Sequence, residues 1–311
     1  MMPAHAGEVA AALLLDALFG EPREALHPTV WMGRAASAVE EKALGLKDPR
    51  ARRLAGIALA LSLPTLVFLS TRSVIGLTPP RLRRVLGAAL ISTALSMRGL
   101  GEAAGAVERG LRDGDLRRAR ARVGDLVGRD TESLPASEVA RAAVESVAEN
   151  TSDGVVAPML YGLCFGAPGA LTYRAVNTLD SMVGYRRGPY EDLGWAPARL
   201  DDLLNLAPSR VTVLAAAAVS GRPVATLRAG LRYGPLTESP NAGWAEAGFA
   251  GALGLRLGGR NSYGGVIREG PTLGDGRPPE PEDIRRSVGL MRRSCASLAV
   301  AALLVGVIRH A

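Results

Sequence analysis

The sequence predicts an all-α, polytopic integral membrane protein with four to six apolar helices and polar amphipathic helices on the cytoplasmic side. Three observations carry this prediction. Hydrophobic residues make up 48% of the chain, and its mean hydropathy is +0.14. Residues 54–71 and 154–173 are runs of 18 and 20 residues without a charge, and a helix of about 20 residues spans the hydrocarbon of a bilayer. Arginines follow these runs, as in a multi-pass protein of the cell membrane.

Three apolar helices are predicted in the first third of the chain. The first, at 7–20, stops at Gly20-Glu21-Pro22, which is a typical helix end. No basic segment precedes it, so we expect no cleaved signal peptide. The second lies at 54–71 and the third, after a Pro-Pro turn, at 85–100.

The remaining two thirds alternate polar and apolar segments. Residues 101–130 are rich in arginine and amphipathic, and a helix begins after Pro135. Gly166 and Pro168 interrupt the run 154–173 and divide it into two short helices. Further apolar helices are predicted at 203–220 and 294–308, separated by a polar, glycine-rich segment. Without internal repeats, residues 1–311 read as a single domain.

The charge distribution favours one orientation. With the N-terminus outside and spans near 7–20, 54–71, 85–100 and 294–308, the inner loop 21–53 has seven Lys or Arg and the outer loop 72–84 has four. The runs 154–173 and 203–220 then dip into the membrane or pack within the protein. In the alternative both runs cross. Charge counting does not separate the two models, but the Pro and Gly breaks favour the first.

Nucleic acid is not an expected partner, although the chain is basic. Lys and Arg exceed Asp and Glu by 37 − 30 = 7. These charges are scattered between apolar runs and have no aromatic platform beside them, unlike those of nucleic-acid-binding proteins. The sequence also lacks the P-loop, the H-E-x-x-H motif and the G-x-S-x-G motif.

The first candidate site follows the segment ESVAENTSDG. Glu145 and Glu149 share one helical face, and Asp153 comes one turn later. Converging carboxylates repel one another unless a cation lies between them, and Mg²⁺ prefers oxygen ligands. The plainer interpretation is a solvated helix face on which Arg141 pairs with Glu145. Asn150 and the apolar run that follows favour a functional site.

A second cluster follows the apolar run. Asn177 and Asp180 lie on one helical stripe, and Asp201 and Asp202 follow with Asn205. Ionisable groups at membrane depth are costly and usually functional. The alternative for the aspartate pair is a favourable charge near a helix N-terminus.

Two polar residues near the N-terminus complete the candidates. Asp16 lies within the first apolar helix, where an isolated carboxylate needs a partner or a proton. His27 suits phosphate binding or acid catalysis, although a lone histidine is more often structural.

These segments resemble the adenosylcobinamide-phosphate synthase family of cobalamin biosynthesis, the CobD/CbiB type. The resemblance covers nearly the whole chain and lies in LLLDALFGEP, HPTVWMGR, RDTESL, VESVAENTSDGVVAPMLYGLCFGAPGALTYRAVNTLDSMVGYR, DLGWAPARLDDLLNLAPSR and SPNAGWAEAGFAGALGLRLGG. It implies a membrane ligase that joins adenosylcobyric acid to aminopropanol phosphate, or to aminopropanol, with consumption of ATP. ATP and Mg²⁺ are therefore expected, with the corrinoid as substrate. Other membrane-associated enzymes of cobalamin biosynthesis are expected partners.

Roles follow from the resemblance together with residue chemistry. We expect Glu145, Glu149 and Asp153 to hold the metal, and Asp201 or Asp202 to take a proton from the amine. The full set of expected catalytic residues is Glu145, Glu149, Asp180, Asp201 and Asp202, and that of substrate-binding residues is Asp16, His27, Asn150, Asn177, Tyr185 and Arg186.

Two other classes of function stay open on the sequence alone. Intramembrane acids also bind a proton or an ion in transporters and membrane sensors. A chain of this kind could instead anchor soluble corrinoid enzymes without catalysing a reaction.

Overall fold

The computed structural model describes residues 5–185, 188 and 190–308. It confirms the predicted class, an α-helical membrane protein, and adds one small β-hairpin. The first half of the chain forms α1 Ala6–Phe19, α2 Pro28–Leu44, α3 Pro49–Leu77, α4 Pro80–Ser92, α5 Met97–Arg112, α6 Leu116–Gly124 and α7 Ala136–Thr151. The second half forms α8 Ala157–Val183, α9 Tyr190–Leu193, α10 Trp195–Leu204, α11 Leu206–Val219, α12 Pro223–Tyr233, α13 Ala242–Leu253, β1 Leu257–Tyr263, β2 Val266–Leu273 and α14 Pro281–Ile308.

The chain divides into two compact units, each built from segments that are far apart in the sequence. Unit 1 comprises Met1–Ser96, Ala157–Asn205 and Ala299–Ala311, and unit 2 comprises Met97–Val156 and Leu206–Leu298. The interpretation of residues 1–311 as one domain stays a prediction.

Three helical stretches of the described residues are long and apolar enough to cross a membrane: Pro49–Leu77, Ala136–Val183 and Pro281–Ile308. A fourth is counted if Trp195–Leu204 and Leu206–Val219, which meet at 41°, act as one bent span. The predicted spans at 54–71 and 294–308 lie inside the first and third stretches. Those at 7–20 and 85–100 are wrong as full spans, because α1 has 14 residues and α4 ends at Ser92. The run 154–173, predicted to dip or pack, belongs instead to a stretch long enough to cross.

The predicted break in the run 154–173 is confirmed. Gly166 has a φ of 67° and a ψ of −157°, far from helical values, and Pro168 follows it. This backbone region is populated almost only by glycine. The apolar segment therefore consists of two helical pieces that meet at Gly166, even though hydrogen bonding continues across the bend.

In unit 1, α8 packs against α2, α3, α4 and α10, and α1 packs against α4. Two of these helices begin in the same way. His27 and Asp48 cap α2 and α3 with a side chain that accepts a backbone N–H, and proline occupies the first helical position behind each cap. Proline suits that position because its missing N–H would have no partner there.

In unit 2, α13 packs against α7, α11 and α12, and the hairpin lies beside it. Strands β1 and β2 are antiparallel and joined by the two-residue turn Gly264-Gly265, with positive φ angles of 60° and 78°. Such a turn matches the twist of the flanking strands. The sequence interpretation missed this hairpin, because its strands contain three glycines and few of the β-branched residues that indicate strands.

Candidate functional site

A polar cavity of about 220 Å³ lies in unit 2. Three segments of the chain form its walls: the loop after α6, one face of α7, and α13 with the start of the hairpin. Its lining residues are Leu126, Val127, Gly128, Arg129, Glu145, Ser146, Glu149, Glu246, Gly258, Asn261 and Tyr263. The predicted residues Glu145 and Glu149 therefore share one cavity, as their spacing of four on a helix requires.

Glu145 is the most heavily bonded group of the cavity. Arg129 donates to its Oε2 at 2.6 Å, and Arg141 donates to its Oε1 at 2.9 Å. The backbone N–H of Gly258 also donates to Oε1, at 2.7 Å. The side chains of Glu145, Arg129 and Arg141 are all buried. The pairing with Arg141 that the sequence offered as the plainer interpretation is present, and a second arginine adds to it.

The two arginines also fix the hairpin against α7. Arg141 donates to the carbonyl oxygens of Gly258 at 2.7 Å and Arg260 at 2.9 Å, and the Oδ1 of Asn261 accepts from both Arg141 and Arg129. Gly258 has a φ of +72°, and a Cβ built there would lie 2.2 Å from the carbonyl oxygen of Pro271. Only glycine lets the chain approach the carboxylate in this way.

Asp130 holds the far end of the hairpin. Its carboxylate accepts the backbone N–H groups of Gly264 and Gly265, each at 2.8 Å, and the hydroxyl of Ser262 at 2.6 Å. Because Asp130 follows Arg129 directly, this contact fixes the loop from which the Arg129 guanidinium enters the cavity.

Glu246 is the acid of the cavity that the sequence interpretation missed. Within the described residues, no hydrogen bond or ion pair reaches its half-buried carboxylate. Burial raises the pKa of Glu246 well above its ordinary value, and the neighbouring charges of Glu145 and Glu149 raise it further. Its sequence signal was a single charge within the small-residue run AGWAEAGFAGALG, where an isolated carboxylate needs an explanation.

The expected metal site at Glu145, Glu149 and Asp153 is not supported. Among the described residues, no group of three or more His, Cys, Asp or Glu side chains is arranged to hold a metal ion. The oxygens of Glu145 are engaged by two guanidinium groups and a backbone N–H. Asp153 lies beyond α7, in the π-helical turn Ser152–Val156, and does not line the cavity.

Asn150 is turned back onto its own helix. Its amide nitrogen donates to the carbonyl oxygen of Ser146 at 3.0 Å and to the Ser146 hydroxyl at 3.3 Å. Ser146 lines the cavity, whereas Asn150 does not. The predicted contact between Asn150 and substrate therefore has no counterpart at this cavity.

Unit 1 contains a separate buried polar network centred on Asp201. Its Oδ1 accepts from the amide of Asn177 at 3.3 Å, and its Oδ2 accepts from the amide of Asn205 at 2.9 Å. The hydroxyl of the buried Tyr173 donates to Asn205 at 2.8 Å. The predicted residues Asn177 and Asp201, 24 positions apart, are thus in direct contact.

His27 has a structural role at the start of α2. Its Nδ1 accepts the backbone N–H of Thr29 at 3.2 Å, so Nε2 carries the proton and faces Glu21, also at 3.2 Å. This hydrogen bond lowers the pKa of Glu21, and the more distant charge of Arg174 lowers it further.

The other predicted site residues of unit 1 are Asp16, Asp180, Asp202 and Tyr185. Asp16 is fully buried on α1. Asp180 is half-buried on α8, and its carbonyl oxygen accepts the N–H of Gly184 at 2.7 Å. Asp202 faces Arg199 at 3.9 Å, and the exposed ring of Tyr185 meets Tyr190 edge-on at 5.7 Å. Arg186 lies outside the described residues.

A second cavity in unit 2, of about 530 Å³, lies between α12, the end of α13 and the segment after β2. Arg222 and Arg228 line it together with Tyr233 and Asp275. Both arginines are exposed. Two guanidinium groups at the rim of a cavity of this size suit an anionic ligand.

Comparison with known proteins gives the family. The model of the CobD/Cbib protein family matches residues 9–291. A protein of Chromobacterium violaceum named Cobalamin biosynthesis protein CobD is 43% identical over 96% of both chains. A protein of the same name from Halalkalibacterium halodurans is 39% identical over 98% of both chains. Another from Synechocystis is 42% identical over 86% of this chain and 81% of the relative. No solved structure matches. The chain therefore belongs to the CobD/Cbib family.

Proposed function

We propose that the protein acts in cobalamin biosynthesis as an ATP-dependent ligase, joining the carboxyl group of adenosylcobyric acid to the amine of aminopropanol phosphate or of aminopropanol. The observation that supports this proposal is the polar cavity of unit 2. Its acidic and basic groups come from RDTESL, VESVAEN and the segment from NAGWAE to GGRNSY. Clustered ionisable groups in a cavity, one with a strongly shifted pKa, are typical of a catalytic site.

The chemistry requires activation before the amide forms. A carboxylate is anionic and has no leaving group, so an amine does not attack it at neutral pH. Transfer of the γ-phosphoryl group of ATP to the carboxylate gives an acyl phosphate and ADP. The amine then forms the C–N bond, and the acyl C–O bond breaks as phosphate leaves. Positioning of the two reactants supplies much of the rate increase.

The residues of this chain would contribute a rigid, charged site. Arg129 and Arg141 hold Glu145, and through Gly258 and Asn261 they fix the wall that the reactants would contact. Fixed charges of this kind act strongly where water is excluded. We assign no step to a protein-bound ion, because the carboxylates of the described residues form no group arranged to hold one. Magnesium enters the proposal as the ion that accompanies ATP.

The larger cavity suits the nucleotide. Its volume of about 530 Å³ lies within the usual range of small-molecule sites. Arg222 and Arg228 provide positive charge for phosphate oxygens, and the sequence has no P-loop to do so.

The test is reconstitution. The purified protein in detergent or proteoliposomes is given adenosylcobyric acid, ATP and Mg²⁺ with each amine in turn, and the cobinamide product and ADP are quantified. We expect amide formation, and replacement of Glu149 or Asp180 by Ala should abolish it while membrane insertion persists. Glu102→Gln is the matched control, because Glu102 is an exposed acid of unit 2 that pairs with Arg98 at 2.7 Å.

The same assay separates the other classes of function. Movement of substrate across proteoliposomes without turnover would indicate a transporter. Absence of both turnover and movement would indicate an anchor. Activity close to that of the unmodified protein in the Glu149 or Asp180 variant would remove that residue from the catalytic set.

A further inference from the structure

The polar cavity of unit 2 is small. Its volume of about 220 Å³ lies below the range of roughly 300–1,000 Å³ that is usual for sites of drug-sized ligands. A corrin ring does not fit within it. The cavity therefore receives a small molecule, or one small group of a larger one.

The acidic side chains of the cavity suit a ligand that donates hydrogen bonds. Arg129 and Arg141 pair with Glu145 at 2.6 Å and 2.9 Å. Two further carboxylates, those of Glu149 and Glu246, line the same walls. An ammonium group suits such a site, because it donates up to three hydrogen bonds and tolerates irregular geometry.

Two further observations indicate a ligand rather than a self-contained ion-pair cluster. The carboxylate of Glu246 has no hydrogen bond or ion pair from the described residues, although it lies in the cavity wall. Arg129 is 8% exposed, and its Nε has no acceptor within the described part of the chain. The cavity thus offers an unused acceptor, the carboxylate of Glu246, which matches a molecule with an ammonium group.

We propose that this cavity is the subsite for the small amine substrate and that Glu246 takes the proton that the amine must lose before it attacks the activated carboxyl group. The proposal rests on the ligase function proposed above, and it adds the location of the amine and a catalytic residue. The sequence-predicted bases are less suitable. Both oxygens of Asp201 accept amide hydrogens, and Asp202 faces Arg199.

The proton balance is complete. The ammonium gives one proton to the Glu246 carboxylate and becomes a neutral amine. Its lone pair forms the C–N bond, and the acyl C–O bond breaks as phosphate takes that electron pair. The nitrogen then gives its second proton to the departing phosphate. A raised pKa of Glu246 helps the first step, because it brings the carboxylate closer to the pKa of the amine.

The experiment compares Glu246→Gln with the Glu102→Gln control in the reconstituted protein. General-base catalysis contributes typically 10²–10⁴-fold, so we expect kcat/KM for the amine to fall by about 100-fold or more. The KM for ATP and the trapping of the acyl phosphate by hydroxylamine should stay unchanged. The rate of the variant should recover as pH rises, because the free amine then needs no base. Glu246→Asp, which keeps the charge, should be intermediate.

Binding of aminopropanol alone, followed by the thermal stability of the protein without ATP or corrinoid, tests the subsite independently of turnover. We expect stabilisation of the unmodified protein and none of Glu246→Gln. If amide never forms but this difference persists, the ligase function fails and the amine subsite stands. The subsite is overturned if Glu246→Gln binds and uses the amine normally, if it loses acyl phosphate trapping as well, or if only its Mg²⁺ requirement rises. Should Glu246→Gln not fold, the Glu246→Asp variant decides by the same measurements.

Discussion

The two units place a carboxylate in buried surroundings by different means. In unit 2, Glu145 is held by two arginines and lines a cavity. In unit 1, Asp201 is held by the neutral amides of Asn177 and Asn205, next to Tyr173. The first arrangement fixes opposite charges at a place that a ligand can enter, whereas the second satisfies one acid among packed helices. Within the described residues, the first arrangement leaves the carboxylate of Glu246 and the Arg129 Nε without a hydrogen bond.

Among the variants considered, Arg129→Met should lower the free energy of unfolding most. This change leaves Glu145 with one of its two arginines, and loss of a partner from a buried ion pair costs roughly 3–5 kcal/mol. We expect a fall of this size in the free energy of unfolding, measured by denaturation in detergent. Arg122→Met is the control, because Arg122 is exposed and pairs with Asp125 at 3.5 Å, and exposed pairs contribute about 0–1 kcal/mol. Equal effects of the two changes would mean that Glu145 does not depend on Arg129.

Asp201→Asn should have an intermediate effect. The new amide cannot accept from both Asn177 and Asn205, so one buried hydrogen bond is lost at a cost of about 1–3 kcal/mol. The free energy of unfolding of the variant measures this loss. Asp202→Asn serves as the neighbouring control, since the ion pair of Asp202 with the exposed Arg199, at 3.9 Å, is weak. A stability of Asp201→Asn equal to that of the control would show that unit 1 does not need this network.

The smallest effects concern pH, and the two units should respond with opposite signs. The pKa of Glu246 is raised, so its folded form prefers the proton, and its contribution to stability falls as pH rises above the ordinary value of 4.5. The pKa of Glu21 is lowered by His27. Its contribution is present above the ordinary value of 4.5 and is lost as pH falls below it.

Melting temperatures between pH 4 and 8 for the unmodified protein, Glu246→Gln and Glu21→Gln measure both slopes. The Glu21 effect should be slight, because its side chain is 40% exposed and solvent screens the contact. Slopes of the same sign for the two variants would contradict the assigned environments.

Much of the helical architecture could be predicted from the sequence, because long apolar runs and proline signals act locally. The break at Gly166 and the joint position of Glu145 and Glu149 follow from such local rules. The full spans predicted at 7–20 and 85–100 were wrong. The prediction used the apolar character of these segments and did not account for the short length of their helices.

The walls of the candidate site were harder to predict. Arg129 and Glu246 reach the cavity from segments 117 positions apart, and no periodicity within one helix reports such a meeting. The hairpin that completes the cavity depends on Gly258 and on the contact of Asp130 with its turn. Local strand propensity did not indicate either feature. In unit 1, the contact of Asn177 with Asp201 was suggested only by the polarity of both segments.

The close approach at Gly258 has a consequence for how this site can change. Part of the floor beside Glu145 is main chain, and a side chain at position 258 would collide with the carbonyl oxygen of Pro271, 2.2 Å from the added Cβ. Selection for a different reactant therefore has little freedom at this position. Variation has more freedom at Asn261 and Tyr263, which line the same cavity. A library designed to accept longer amino alcohols would randomise those two residues and leave the glycine untouched.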